Sequence, residues 1–162
     1  MVQKKESDVN LVFYSEDYAR EIDSYIINQL DFTGTPKEAL NLSKQDDERH
    51  PVLVFCREKL VGFFVLHGWG GAKRYTDNHY ALLLRTFSID SRYQGKGYGR
   101  QTVESLDAFV MHSFPDINEM ILGVNHNNVP AQQLYLHHGF SDTGRRVIGR
   151  HGEQWVLSKV LK

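Results

Sequence analysis

The chain has 162 residues, 41% hydrophobic and 24% charged, with a formal net charge of -1. This balance matches a soluble globular protein and gives no support to a polyanion-binding or membrane-surface role. The single cysteine, Cys56, excludes an internal disulfide framework and fits a reducing cytoplasm. No apolar run approaches the ~18 residues of a membrane span, no repeat or linker breaks the chain, and one domain over residues 1–162 is expected.

Residues 9–14 are rich in β-formers and predict a first strand. Ser15 then reads as an N-cap, with Glu16 and Asp17 in the first turn. The helix it opens carries Tyr18, Ile22, Tyr25, Ile26 and Leu30 at helical spacing. Thr33-Gly34-Thr35-Pro36 breaks it, and Thr35, Pro36 and Glu38 start a second helix through Leu42. Residues 51–56 and 60–67 form a hairpin around Arg57-Glu58-Lys59. Gly68-Trp69-Gly70-Gly71 reads as a flexible loop. Residues 81–89 predict a strand, residues 100–113 a helix, and residues 120–124 a buried strand. Pro130 opens a last helix that Gly139 closes, and residues 140–148 and 154–160 supply two final strands. The order βααβββαβαββ defines an α/β (α+β) chain with a mixed central sheet of seven strands and flanking helices.

Gln94-Gly95-Lys96-Gly97-Tyr98-Gly99 joins the strand at 81–89 to the helix at 100–113. Glycines there allow positive φ and close approach to a phosphate. The helix start offers free N–H groups and the positive end of its dipole. Lys96 and Arg100 add positive charge, so the turn reads as a pyrophosphate cradle. A dinucleotide-binding unit wants G-x-G-x-x-G and an acid ending the next strand. Here the spacing is G-x-G-x-G, and Glu119 precedes the next apolar run. No Gly-Lys-Ser/Thr stands at Walker A spacing.

The segment Gln94 to Gly99 resembles the Q/R-x-x-G-x-G/A signature of the GNAT superfamily of acetyl-CoA-dependent N-acetyltransferases. Downstream, Asn128-x-x-Ala131-x-x-Leu134-Tyr135-x-x-x-Gly139-Phe140 is similar to a second segment of that superfamily. The resemblance implies that strands four and five splay around the pantetheine arm of acetyl-CoA, the co-substrate. It assigns backbone contacts to Phe87, Ser88 and Ile89. The pyrophosphate falls to Gln94, Gly95, Lys96, Gly97, Tyr98, Gly99 and Arg100, and a bond to pantetheine to Asn128. Tyr135 becomes the donor to the departing coenzyme A thiolate, after direct amine attack in a ternary complex.

Strand four lacks the carboxylate that serves some members as a base; His79 and His126 flank the expected cleft, and a water chain is the other route. The loop wording is similar to bacterial diamine and polyamine acetyltransferases, implying a small amine or polyamine acceptor. Glu16, Asp17, Glu21, Asp23 and Asp31 are a candidate acidic patch for a polycation, while Arg85, Lys73 and Arg74 oppose one. Amines with a carboxylate, a peptide N-terminus or a protein lysine stay open, as does a non-catalytic acyl-CoA-binding module. The eight histidines show no ligand spacing, so no metal is expected. Arg145, Arg146 and Arg150 read as a solvated strand face, and Cys56 as a core residue. The expected partners are a small-molecule amine, no nucleic acid and no membrane, for a cytoplasmic monomer or homodimer.

Overall fold

The structure, a computed structural model, describes residues 8–28 and 34–161. Its strands are β1 (Val9–Phe13), β2 (Arg49–Cys56), β3 (Lys59–His67), β4 (Ala81–Ile89), β5 (Glu119–Asn125), β6 (Ser141–Gly149) and β7 (Gly152–Val160). Its α-helices are α1 (Ala19–Asp23), α2 (Pro36–Ser43), α3 (Trp69–Ala72), α4 (Tyr98–Ser113) and α5 (Val129–Leu136). The strands form one seven-stranded sheet in the order β1-β2-β3-β4-β5-β7-β6. All neighbours are antiparallel except β4 and β5. The expected α/β fold with a mixed seven-stranded sheet is therefore the one that forms. Among the described residues, no helix is long and apolar enough to cross a membrane.

The central strands are apolar on both faces because both faces are covered. Val52, Val54, Phe64 and Leu66 join Val103, Leu106 and Val110 of α4 in one core. Their sequence neighbours Leu53, Phe55, Phe63 and Val65 join Ile22 of α1 and Ala39 of α2 in another. β4 follows the same two-residue alternation. Leu82 and Leu84 belong to the α4 side, while Ala81 and Leu83 pack with Ala72 of α3.

The sheet opens in its middle. β4 and β5 pair only at Ala81↔Glu119, Leu82↔Met120 and Leu83↔Ile121. Both strands continue, to Ile89 and Asn125, without pairing further. A register shift between β3 and β4 falls at Phe63/Val65, and Thr86 takes φ 55° there. A left-handed β-branched residue is a rare conformation, and a bulge of this kind bends its strand. The splay expected between strands four and five begins after Leu83↔Ile121, just before this bulge.

Two local expectations fail. The first helix stops at Asp23 instead of running to Leu30, which lies outside the described residues. Tyr25 and Ile26 have helical spacing but bind β4 and the turn after it, and this draws the chain out of the helix. Second, residues 68–71 are not a flexible loop. They form the single turn α3, packed so closely that a Cβ at Gly71 would overlap the His67 imidazole and one at Gly70 the Glu48 carboxylate. By contrast α2 forms as read, with Thr35 and Glu38 making a reciprocal capping box.

Candidate active site

The glycine turn has the geometry its sequence predicts. Gly95 (φ 77°) and Gly97 (φ 87°) are left-handed, and Gly97 is the N-cap of α4 with no side chain bonded across the helix start. The first intrahelical bond runs from Gln101 N–H to the Gly97 carbonyl at 3.0 Å. The preceding N–H groups at the helix start therefore have no intrahelical partner. Gly99 sits where three elements converge. A Cβ there would lie 3.8 Å from Leu134 of α5 and 3.9 Å from Ile89 of β4. Lys96 extends over the Tyr93 ring at 5.9 Å, Arg100 leans toward Glu104 at 3.8 Å, and Gln94 Nε2 donates to the Ile89 carbonyl at 3.3 Å.

Behind the turn lies a fixed point that the sequence reading missed. Asp90 is wholly buried (0% exposed). Its carboxylate accepts from Arg92 Nη2 at 2.8 Å, the Arg92 backbone N–H at 2.9 Å and the Ile26 N–H at 3.1 Å. Burial alone would raise its pKa, but these donors hold it below the ordinary 3.8. The segment after α1 is pinned alongside. Tyr25 donates to the Ser88 carbonyl at 2.9 Å, the Ser91 N–H to the Ile26 carbonyl at 2.8 Å, and Arg92 to the Ser24 carbonyl at 2.8 Å. The end of β4, the turn after it and residues 24–26 after α1 are thus one hydrogen-bonded unit.

Tyr135 lies on the inner face of α5, 7% exposed, within the α4-side core and edge-on to Phe140 at 5.5 Å. Burial raises its phenol pKa above the ordinary 10.0, so it is a protonated donor at neutral pH. The orientation of α5 is fixed at its start. Asn128 Oδ1 caps the helix by accepting from the Ala131 N–H at 3.3 Å. That bond uses one lone pair of its oxygen and leaves both N–H donors of its amide to offer a ligand. Gln132, one turn before Tyr135 and 4% exposed, donates to the Asn125 and His126 carbonyls at 3.0 Å each. A buried glutamine three residues from the tyrosine was the available signal for this positioning role.

On the opposite face, a cavity of about 420 Å³ opens into the split. β4 contributes Arg85 and Thr86, β5 contributes Gly123 and Asn125, and Arg49, Arg74 and Arg150 stand around them. Glu38 is the one carboxylate among the lining residues. Arg85 is half-buried and its Nη1 reaches His67 Nδ1 at 3.3 Å. A guanidinium only donates, so Nδ1 accepts and His67 carries its proton on Nε2, which donates to Asp46 at 3.1 Å. Burial, then the charges of Arg49 and Arg85, keep the His67 pKa below 6.5. Arg49 also donates to Asp46, at 3.3 Å.

Asp46, Glu48 and His67 bring potential ligand atoms within 4.8 Å of one another. Sequence spacing could not show this group, because β3 supplies the histidine across the sheet. Its carboxylates are already engaged, Glu48 by the Gly70 N–H at 3.0 Å, and two arginines beside the group oppose a further cation.

The other sequence candidates separate. His79 stacks on Trp69 with ring centroids 3.9 Å apart, and His126 is exposed. Arg146 clamps Asp142 at 2.8 and 2.9 Å, as a strand-face residue would, whereas Arg150 joins the cavity wall. Cys56 is half-buried against the α4-side core and beside Tyr98, at the start of α4, although far from it in sequence. Of the candidate acidic patch, Glu16, Asp17, Glu21 and Asp23 line no part of the cavity, Asp23 pairing with Lys37 at 3.2 Å, and Asp31 lies outside the described residues.

The profile of the Acetyltransferase (GNAT) family matches residues 12–140. The chain is 40% identical over 157 residues to an uncharacterized N-acetyltransferase of Bacillus subtilis (strain 168), YbbJ, covering 95% of this chain and 98% of that protein. It is 29% identical over 133 residues to the spermine/spermidine N(1)-acetyltransferase of the same organism, covering 82% and 85%. A spermidine N-acetyltransferase from Vibrio cholerae, solved with CoA and spermine, shares the fold with a TM-score of 0.73 at 19% identity over 96% of this chain and 97% of that one. The chain belongs to the GNAT acetyltransferase family and is an enzyme of that class.

Proposed function

We propose that the protein transfers an acetyl group from acetyl-CoA to a primary amine by direct attack in a ternary complex. The observation that carries this reading is the uncapped, left-handed glycine start of α4 where it meets the β4–β5 split. Backbone N–H groups from Gly95 to Arg100 would hold the pyrophosphate, with Gln94 and Lys96 at the rim. Phe87, Ser88 and Ile89 would offer backbone groups to the thioester end of pantetheine, and the Asn128 amide would donate to its arm. Bound acetyl-CoA supplies the activated acetyl group and a thiol leaving group. Tyr135 supplies a neutral phenol near that sulfur. Its raised pKa makes it a hydrogen-bond donor to a developing thiolate in preference to a full acid. The amine enters from the arginine-lined face, with its proton leaving to water.

The names of the relatives put polyamines among the acceptors to be tested, beside other small amines; a peptide N-terminus or protein lysine is a less direct fit to a cavity of this size. We place the enzyme in the cytoplasm, in line with its single cysteine and neutral balance of charge. The test is a thiol-release assay with acetyl-CoA across an amine panel. Acceptor-dependent release is expected. Tight acetyl-CoA binding with no release for any amine would make the protein a non-catalytic binding module.

A further inference from the structure

Resting on that reading, we infer that the acceptor is an amine bearing an anionic group, a carboxylate or phosphate, held by Arg85 and Arg49 in the cavity that opens into the β4–β5 split. Four arginines line this cavity against one lining carboxylate, Glu38; of the four, Arg49 also pairs with Asp46 through Nε at 3.3 Å, which leaves its terminal nitrogens for a ligand. Glu38 is itself committed to the α2 capping box. Among the described residues, no carboxylate lies within ion-pair distance of Arg85. Arg74 has turned to the Ile148 carbonyl. A half-buried guanidinium whose nearest carboxylate, Asp46, reaches it only through His67 is costly unless a ligand completes it.

The location matters as much as the charge. Arg85 stands on β4 two residues past the last β4–β5 pair, so a group it holds lies beside the gap where the sheet opens. Strand alternation places it on the face of Ala81 and Leu83, opposite the face that carries Tyr135. The chain Asp46–His67–Arg85 orients it. With Nδ1 of His67 accepting from Nη1, no other hydrogen bond to a described residue engages the guanidinium, and its remaining N–H groups can present a fork. A planar, forked cation matches a carboxylate or phosphate and not an ammonium. A polyamine would bring several positive charges to this wall, against the four arginines that line it.

The test compares matched acceptors in the thiol-release assay: free amino acids, their neutral amides, an aminoalkyl phosphate and spermidine. For at least one amino acid or aminoalkyl phosphate, kcat/KM is expected to exceed that of its neutral counterpart and of spermidine by about 10- to 100-fold. The two anionic arms tell carboxylate from phosphate. In Arg85→Gln this preference collapses, whereas Arg146→Ala, outside the cavity, retains it. Calorimetric binding of the preferred anionic amine gives a readout independent of turnover, and should also be lost in Arg85→Gln. Spermidine or neutral amides turned over as well as the anionic amines would overturn the inference while leaving the acetyltransferase reading intact. Arg85-dependent binding of an anionic amine without turnover would do the reverse. A preference unchanged in both Arg85→Gln and Arg49→Gln also refutes it.

Discussion

The start of α4 and the arginine-lined cavity meet at the same split between β4 and β5, yet they are built for charge in different ways. The first offers main-chain N–H groups, ordered by Gly95 and Gly97 at φ 77° and 87°. The second offers side chains brought from β2, β4, the α3–β4 connection and the β6–β7 turn. A backbone site is specified by consecutive residues, because each N–H is placed by the φ/ψ of its own turn. A side-chain site is specified by the sheet, because only strand pairing brings Arg49 and Arg85 together. The first suits a ligand common to a whole family, the second one that differs from member to member.

The largest expected effect breaks the backbone half. Gly97 holds a left-handed φ of 87°, and on the proposed reading a carboxylate there would fall in the pyrophosphate's place. Gly97→Glu should weaken acetyl-CoA binding by more than about 100-fold, since a like charge is set against the pyrophosphate. Calorimetry on the variant, with circular dichroism to establish folding, measures this. A folded variant with wild-type affinity would reduce the turn to a simple connection.

Tyr135→Phe comes next and addresses the chemistry between the two halves. The ring and its edge contact with Phe140 remain, so acetyl-CoA affinity should hold while kcat falls by about 10- to 100-fold, the low end for a lost acid or donor. A loss confined to kcat marks an interaction made late in the reaction. Full kcat, with chemistry shown to be rate-limiting, would leave Tyr135 a packing residue.

These two residues were legible in the sequence for the same reason the cavity was not. Gly97 and Tyr135 sit in contiguous segments whose local geometry their own sequence specifies. Arg85 could be noticed as a cation within an apolar strand, but its partner His67 lies across β3 and its companion Arg49 a strand further away. Likewise Tyr25 and Ile26 fit helical spacing and were read as helix. Their bonds to Ser88, Asp90 and Ser91 are non-local and outweigh propensity. Gly70 and Gly71 read as slack when they are in fact space for Glu48 and His67.

The tether itself gives a third prediction. Asp90→Ala removes a buried acceptor from Arg92 and from two backbone N–H groups, and should cost about 2 kcal/mol, less than a fully enclosed pair because Arg92 is half-exposed. Its pH dependence has a definite sign. The folded pKa lies below the ordinary 3.8, so the stabilisation is present above that value and is lost as the pH falls through the lower folded value. Wild type should therefore lose stability below about pH 4 more steeply than Asp90→Ala, measured by urea unfolding. Equal slopes would mean the carboxylate contributes nothing on folding.

The smallest effect concerns a left-handed residue that is not glycine. Where the cradle uses glycine, the bulge on the acceptor side of the split uses Thr86 at φ 55°. A β-branched residue in that region is strained by about 1–2 kcal/mol. Glycine would relieve the strain but lose about 0.5–1 kcal/mol to greater freedom in the unfolded chain. Thr86→Gly should thus be stabilising by about 0.5 kcal/mol, a rise in Tm of about 1–2 °C. Gly97→Ala, the converse change, should lower Tm, since it adds a side chain where φ is 87°. Differential scanning calorimetry on the pair decides the matter. If Thr86→Gly lowers Tm instead, the threonine side chain is holding the bulge by packing against the cavity wall, and the opening of the sheet there depends on that side chain as well as on the backbone.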